Sequence, residues 1–508
     1  MRRPGGRSAK SARAHAGLPQ RPWSILRNPH PPLAMLTEDQ LQSLHDDSIH
    51  LLSDHGMKIL NAQALELFRK AGALVDHETQ MVRADESLIA AALKTAPEKF
   101  DLVSRNRSRA LPMGGNAINF GFVSGPPSVH CHLKGRRSGN MEDYQNLIRL
   151  AQHFNIIHML GGQCCAPVEL PANTRHLDVY EADLVLTDKS FLGSAIGRGR
   201  ILDAVNMVAI AKGMSIEEMK KEPAFCAVIN VNSPRLLDDP LAEGLIALAE
   251  HGQPVVVTPF TLMGAMTPVT LSAAMVQQNA EALLTIALTQ LVNPGAPVIY
   301  GAFTSNVDMK SGAPAFGTPE NARANIIAGQ LARRYRLPYR SSNCNASNIV
   351  DAQATYESSM SLWSTVMAHT NFVLHGAGWL EGGLVASYEK IILDVEMMQN
   401  MAAFLDPYSA DGENTVEAIT AAQPGGHFFG TAHTMARYQT AFYEPLLSDW
   451  QNHGAWEASG SKTATERATL LWQKALDEYQ QPPMDEAISE ELAAYVAKRK
   501  HEIGTGEP

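Results

Sequence analysis

The sequence predicts an α/β protein built as a (β/α)8 TIM barrel with an N-terminal helical extension and a C-terminal helical tail. Three observations predict it. From about residue 118 to residue 402, short apolar runs are each followed by a longer helical pattern. Eight such runs occur, at 118–123, 156–161, 190–196, 224–231, 254–259, 297–302, 338–342 and 371–375. Each strand–helix unit is about 35 residues long, the spacing of a repeated βα unit. Eight alternations fit a barrel better than an open doubly wound sheet, which usually has fewer strands, although periodicity by itself leaves closure open.

Taken in chain order, residues 1–35 are rich in Arg, Pro and Gly and read as a basic extended arm. Residues 36–117 read as an N-terminal helical cap. Thr37-Glu38-Asp39-Gln40 has the form of a capping box, opening a helix through Leu41, Leu44, Ile49 and Leu52. A second helix runs through Ala64, Leu67, Phe68 and Ala71, and a third lies near 86–93. The barrel spans 118–402, with helix starts marked at Asn140 before Met141-Glu142-Asp143 and at Thr318-Pro319-Glu320. Residues 403–508 form a C-terminal extension ending in a charged helix at about 485–500, expected to pack on the barrel or a partner subunit. Arm and tail together point to a homo-oligomer.

The bulk numbers narrow the function classes. The chain has 508 residues, 45% hydrophobic, with net charge −10, which argues against nucleic acid as a partner. The apolar stretches are interrupted by Gly, Pro, Asn or His, so no membrane span is expected. The basic N-terminus lacks the apolar segment of a secretory signal. Cys131, Cys164, Cys165, Cys226 and Cys344 contain no C-x-x-C pair and read as reduced thiols of a cytoplasmic protein.

In a barrel the reacting groups stand at the C-terminal ends of strands and in the loops after them. Those positions here hold Ser124 and His130; Gln163, Cys164 and Cys165; Arg198; and Asn230, Asn232 and Ser233. Later ends add Thr258, Phe260 and Thr261; Thr304, Ser305 and Asn306; Asn343, Cys344 and Asn345; then His375, Trp379 and Glu381. Recurrent Asn and Ser suggest a neutral hydrogen-bonding mouth and not a phosphate clamp. No G-x-G-x-x-G, G-x-x-x-x-G-K-[ST] or H-E-x-x-H motif occurs, and a metal site could be assembled only from scattered residues such as Cys164, Cys344 and His375, so none is expected. The glycine-dense stretch from Gly376 to Gly383 suits a close-approach loop presenting Trp379 and Glu381, or else a tight turn whose tryptophan packs and whose glutamate caps a helix. Tyr356, Met360, Trp363 and Met367 recur at helical spacing and read as a core face, with Tyr356 nearest the pocket.

Longer motifs are more specific. Asp351-Ala-Gln-Ala-Thr-Tyr356-Glu357, the run from Trp379 to Lys390, Gly426-His427-Phe428-Phe429-Gly430 followed by His433 and Arg437-Tyr438, and Phe442-Tyr443-Glu444-Pro445 with Leu447-Ser448-Asp449 resemble the trimethylamine methyltransferase family. The N-terminal Arg2-Arg3-Pro4-Gly5-Gly6-Arg7 continues that resemblance. It implies a barrel whose mouth receives a corrinoid (cobalamin) carried by a separate partner protein, with none tightly bound to this chain. Co(I) would accept a methyl group from an amine held below. Founding members carry pyrrolysine on the loop after strand 7; Cys344 aligns there, which implies the non-pyrrolysine members and quaternary amines of the glycine betaine type.

A permanent cation without N–H donors must be held by aromatic faces and carboxylates, at about 0.5–2 kcal/mol per cation–π contact. Strand-end position nominates Phe122, Phe260, Tyr356 and Trp379 for a cage, with Glu381 as counter-charge. Asn232, Asn343, Asn345 or His375 could meet a betaine carboxylate. Glu381, His375 and Cys344 are the candidates nearest the chemistry, Cys344 being either a small buried thiol or a contact to substrate or corrinoid. Two rivals stay open at this point: a barrel methyltransferase delivering directly to a folate, and a non-catalytic betaine-binding protein.

Overall fold

Strands buried on both faces are expected to be largely apolar, and seven of the expected runs pair as strands, the run at 338–342 carrying Arg340, Ser341 and Ser342 among its buried residues. The computed structural model describes residues 17–408 and 415–504; the arm up to residue 16, with its Arg2 to Arg7 motif, lies outside the described residues. The strands are β1 (Ala117–Phe122), β2 (Leu192–Gly193), β3 (Cys226–Val231), β4 (Val255–Met263), β5 (Val298–Gly301), β6 (Tyr339–Ser342) and β7 (Phe372–Ala377). They stand in the order β2-β3-β4-β5-β6-β7-β1, every neighbouring pair parallel. Mixed α/β architecture around one curled sheet is therefore observed as expected.

The run at 156–161 departs from expectation. It makes a single bridge, Gly121 to Met159, and no regular strand. The Phe122 amide donates to the Met159 carbonyl at 3.0 Å, His158 to Phe120 at 2.8 Å, and Leu160 to Ser190 at 2.8 Å. Gly162 then turns the chain away at φ 86°. Isolated bonds thus stand where a ladder between β1 and β2 was expected, and β2 itself has shrunk to two residues of the run at 190–196.

Helices cover the outside. The Thr37 capping box is present and opens α1 (Glu38–His50); α2 (Ala62–Lys70) and α3 (Glu86–Thr95) complete the cap. The outer layer follows in chain order as α4 (Met141–His153), α5 (Arg175–Leu186), α6 (Arg198–Lys212), α7 (Asp239–Glu250) and α8 (Leu271–Val292). It is completed by α9 (Pro319–Arg334), α10 (Ala352–Met367) and α11 (Tyr388–Phe404). Asn140 and Thr318 cap α4 and α9 through their side chains. Of the expected arm, residues 17–35 are bound to their own chain: Leu26–Arg27 pairs antiparallel with β1 and Asn28 is buried. In the C-terminal extension, α12 (Ala464–Asp477) lies on α11 and α4, and α13 (Glu486–Gly504) on α5 and α6. No helix among the described residues is long and apolar enough to cross a membrane.

Candidate functional site

The strand ends carry a cluster of rings. A further strand, Phe303–Val307, continues beside β4 in parallel register, Phe260 opposite Phe303. Phe260 and Phe303 stack at 5.0 Å between ring centroids, and Phe303 stacks on Phe316 at 5.4 Å. Trp379 stands edge-on to Phe303 at 6.1 Å and to Phe316 at 6.3 Å. His375 lies 3.9 Å from the Trp379 ring. Phe260 and Trp379 are legible as strand-end aromatics; Phe303 directly follows the run at 297–302 and so carries the same signal, whereas Phe316 sits in the next loop and carries none.

Backbone geometry aims these rings. The pairing of β7 with β1 shifts register between Val373 and Ala377, and within that bulge His375 takes φ +59°. Its Nδ1 accepts the Ser124 backbone N–H at 3.2 Å, which leaves the proton of the neutral ring on Nε2. Burial holds this imidazole well below its ordinary value, and the nearby Arg340 adds to the effect. Gly383, at φ +101°, sits against Trp379: a Cβ there would come within 2.5 Å of the indole. The glycine-dense stretch is thus a close-approach loop, with the tryptophan packed into it.

Polar groups fix that loop from beneath. Asn343 Nδ2 donates to the Gly376 carbonyl at 3.1 Å and to Asp394 at 3.2 Å; Asn345 Nδ2 donates to the Trp379 carbonyl at 2.8 Å. Asp394 also accepts the Gly378 amide at 2.8 Å and pairs with Lys390, whose Nζ bonds Ser358 at 2.9 Å. Both members of the pair are fully buried, and burial lowers the lysine and raises the aspartate from their ordinary values. Glu357 accepts the amides of Ala346 and Ser347 at 2.8 and 3.0 Å, holding the loop that carries Cys344. Burial pushes the Cys344 thiol up, so it stays protonated at neutral pH.

The remaining expected residues are placed differently. Glu381, at φ +52°, is bound by Arg136 Nε at 3.0 Å. Phe122 is fully buried at the end of β1 and makes none of the ring contacts described above. Tyr356, Met360 and Trp363 are 62%, 45% and 38% exposed, so this stripe on α10 faces outward and Tyr356 does not join the rings. Apolar spacing fixes a face but not what covers it. Asn232 bonds Asp238 at 3.1 Å and lines a cavity of about 720 Å³ over the ends of β1 to β3, together with Ser124, Gln163, Arg175, Arg200 and Asn230. Ser124 joins cavity and rings, since its amide binds His375. Among the described residues no group of three or more His, Cys, Asp and Glu could hold a metal ion. The segment from Gly426 to Tyr438 lies on the surface, with Phe429 80% exposed.

Comparison with known proteins agrees with the resemblance in the motifs. The family model described as trimethylamine methyltransferase (MTTB) matches residues 2–504. A glycine betaine methyltransferase of Desulfitobacterium hafniense (strain Y51) is 36% identical over 93% of this chain and 98% of its own length. A trimethylamine methyltransferase MttB of D. hafniense (strain DSM 10664 / DCB-2) is 29% identical over 93% of this chain and 95% of its own. Among solved structures, the monomethylamine methyltransferase of Methanosarcina barkeri matches at a TM-score of 0.48 and 10% identity, over 87% of this chain and 93% of that one, too loosely to carry an argument. The chain belongs to the trimethylamine methyltransferase (MTTB) family and is a methyltransferase.

Proposed function

We propose that this enzyme moves a methyl group from a small quaternary amine of the glycine betaine type to the Co(I) corrinoid of a partner protein. The observation that carries the reading is the ring cluster of Phe260, Phe303, Phe316 and Trp379 around a neutral His375. A quaternary ammonium has no proton to donate, so aromatic faces, each contributing about 0.5–2 kcal/mol, are the groups suited to hold it. His375 kept uncharged avoids a repulsive cation beside it. Methyl loss turns the ammonium into a neutral amine without any proton transfer, and the site accordingly asks of its residues orientation and exclusion of water.

The partner's group fits the mouth. Gln163, Asn230, Asn232 and Ser124 offer neutral donors and acceptors around the cavity, suited to the amide-bearing rim of a corrin ring. Bound there, Co(I) would supply the nucleophile that takes the methyl group. The chain's own part is to seat the ammonium against the rings, with Asn343 and Asn345 fixing the loop that carries Trp379. Glu381, two residues after Trp379, is the candidate counter-charge, shared with Arg136. We also propose that the sheet closes as a (β/α)8 barrel through residues 156–161, supported by their bonds to both β1 and Ser190. A homo-oligomer is proposed as well, supported by the exposure of Val416, Phe429, Phe442 and Trp450, and light scattering in solution tests it.

The deciding experiment mixes purified enzyme with Co(I) cobalamin, or with a cobalamin-binding protein, and a panel of quaternary amines. Demethylated amine forming as Co(I) absorbance falls is the expected result. Transfer to a folate without cobalamin, or tight binding of betaine with no transfer to either acceptor, would each overturn the corrinoid reading.

A further inference from the structure

Among the described residues Lys189, Lys390 and Arg340 are buried, and both lysines have close partners. Lys189 Nζ donates to the carbonyls of Ala151, Phe154 and Ile157 at 2.6–3.0 Å, closing the C-terminus of α4. Lys390 has Asp394 and Ser358. The third, Arg340 on β6, is 2% exposed and has one long bond, from Nη1 to the Ala302 carbonyl at 3.4 Å. Its Nε has no partner. A guanidinium carries five N–H donors, and an uncompensated buried charge is strongly unfavourable.

Its direction follows from strand alternation. Tyr339 and Ser341 reach outward to Asn325 on α9, at 2.8 and 2.9 Å. Arg340 and Ser342 therefore face the inside of the curled sheet. The guanidinium carbon lies 5.3 Å from the centroid of Phe303, the central ring of the cluster. The groups that bear on its charge are Tyr339 and Cys344, neither of them a carboxylate, and its own charge is felt at His375. Asn343 Oδ1 and Asn345 Oδ1 on the following loop, and Trp379 Nε1 in the ring cluster, are also buried without partners. These unmatched polar atoms stand with Arg340 beside the aromatic cluster.

We infer that Arg340 binds the carboxylate of the substrate, and so selects betaines, which carry a carboxylate, over choline-like or simple methylated amines, which do not. This rests on the quaternary-amine reading proposed above. A carboxylate matches the planar guanidinium with two parallel bonds, and the opposite, ammonium end of the zwitterion meets the faces of Trp379, Phe316 and Phe260. Asn343 and Asn345, each already using its amide nitrogen on the loop, act as positioning residues and leave recognition of the charge to Arg340.

Calorimetry on the full chain tests the inference, with glycine betaine, its methyl ester and choline as probes. The wild type is expected to bind betaine about 100-fold more tightly than the ester, the order of effect for a lost buried charge pair. Arg340→Met is expected to bring betaine down to the level of its ester, and Arg340→Lys to restore part of the preference. Without ligand, Arg340→Met should melt at or above the wild-type temperature, because it removes an unpaired buried charge, whereas a purely structural arginine would lower it. Equal binding of betaine and ester by the wild type, or unchanged betaine affinity in Arg340→Met, overturns the inference while leaving methyl transfer standing. Failure of every methylated amine to bind overturns both.

Discussion

The pair Lys390–Asp394 gives the sharpest test of how the site is held. Both side chains are fully buried, and Asp394 also accepts the Gly378 amide and Asn343 Nδ2. Asp394→Asn keeps an acceptor for the Gly378 amide but removes the charge, leaving Lys390 with Ser358 alone. Breaking one side of such a pair costs about 3–5 kcal/mol. Lys390→Met strands the carboxylate in the same way, at a similar cost. The double variant removes both charges together and is expected to cost only about 1–2 kcal/mol, a coupling of several kcal/mol. Urea unfolding followed by tryptophan fluorescence reads the four corners of the cycle, and Trp379, whose carbonyl Asn345 holds, reports on the loop itself. If the double variant costs the sum of the single ones within about 0.5 kcal/mol, the pair is not coupled and this account of the loop is wrong.

Four further outcomes follow from the same geometry. Gly383→Ala places a Cβ 2.5 Å from the indole at φ +101° and is expected to destabilise by about 1–3 kcal/mol while weakening amine binding; an unchanged melt and affinity would refute the packing argument. Burial holds the His158 imidazole down at about 4, so its neutral form is the folded one; its contribution is complete above pH 6.5 and is lost as pH falls toward 4, by about 3 kcal/mol. His158→Gln should flatten that acid limb, measured by urea unfolding across pH, and an identical slope would exclude His158 as its source. All five cysteines are buried, so Ellman's reagent should find almost no reactive thiol until the chain is unfolded; rapid reaction of the native protein would contradict the burial of Cys344. Glu381→Gln loses a part-exposed pair with Arg136 and should change stability by less than about 1 kcal/mol while lowering amine affinity severalfold; an unaltered affinity removes Glu381 as counter-charge.

Period and punctuation carried most of the fold. Short runs of strand length alternating with helical patterns located seven parallel strands, and Thr37, Asn140 and Thr318 cap their helices as their spacing indicates. The run at 156–161 has the same composition, but Gly161 and Gly162 end it before a ladder can form; a Cβ on Gly161 would lie 2.2 Å from the Phe122 carbonyl oxygen. Within the site, Phe260, His375, Trp379, Asn343 and Asn345 were legible because they follow strands directly. Tyr356 was misread for want of any signal of what its helix face meets. Arg340 was hidden inside a strand, although an arginine between a tyrosine and two serines in an otherwise buried run is itself the signal. Lys390 and Asp394 are four apart on α11, a spacing usually found on solvated helix faces, and the tertiary packing of α11 against β7 and its neighbouring helices buries them.

Strain and satisfaction together identify which groups the fold sacrifices for chemistry. His375 and Glu381 both sit in the left-handed region, each at about 1–3 kcal/mol, and they bracket the loop that carries Trp379. Such strain persists only where surroundings over-determine it. Here the Ser124 amide fixes the Nδ1 edge of the imidazole, Trp379 packs against the ring, and Asn343 and Asn345 tie the backbone at Gly376 and Trp379. A general acid or base would gain little from this, because its proton must move and its value lie near the working pH, whereas His375 is held far below it. A surface that presents fixed, uncharged faces to a cation, as proposed above, gains from it. The rigidity of the loop therefore suits the methyl transfer proposed above, in which a methyl group would be pointed toward the cavity whose wall Ser124 shares.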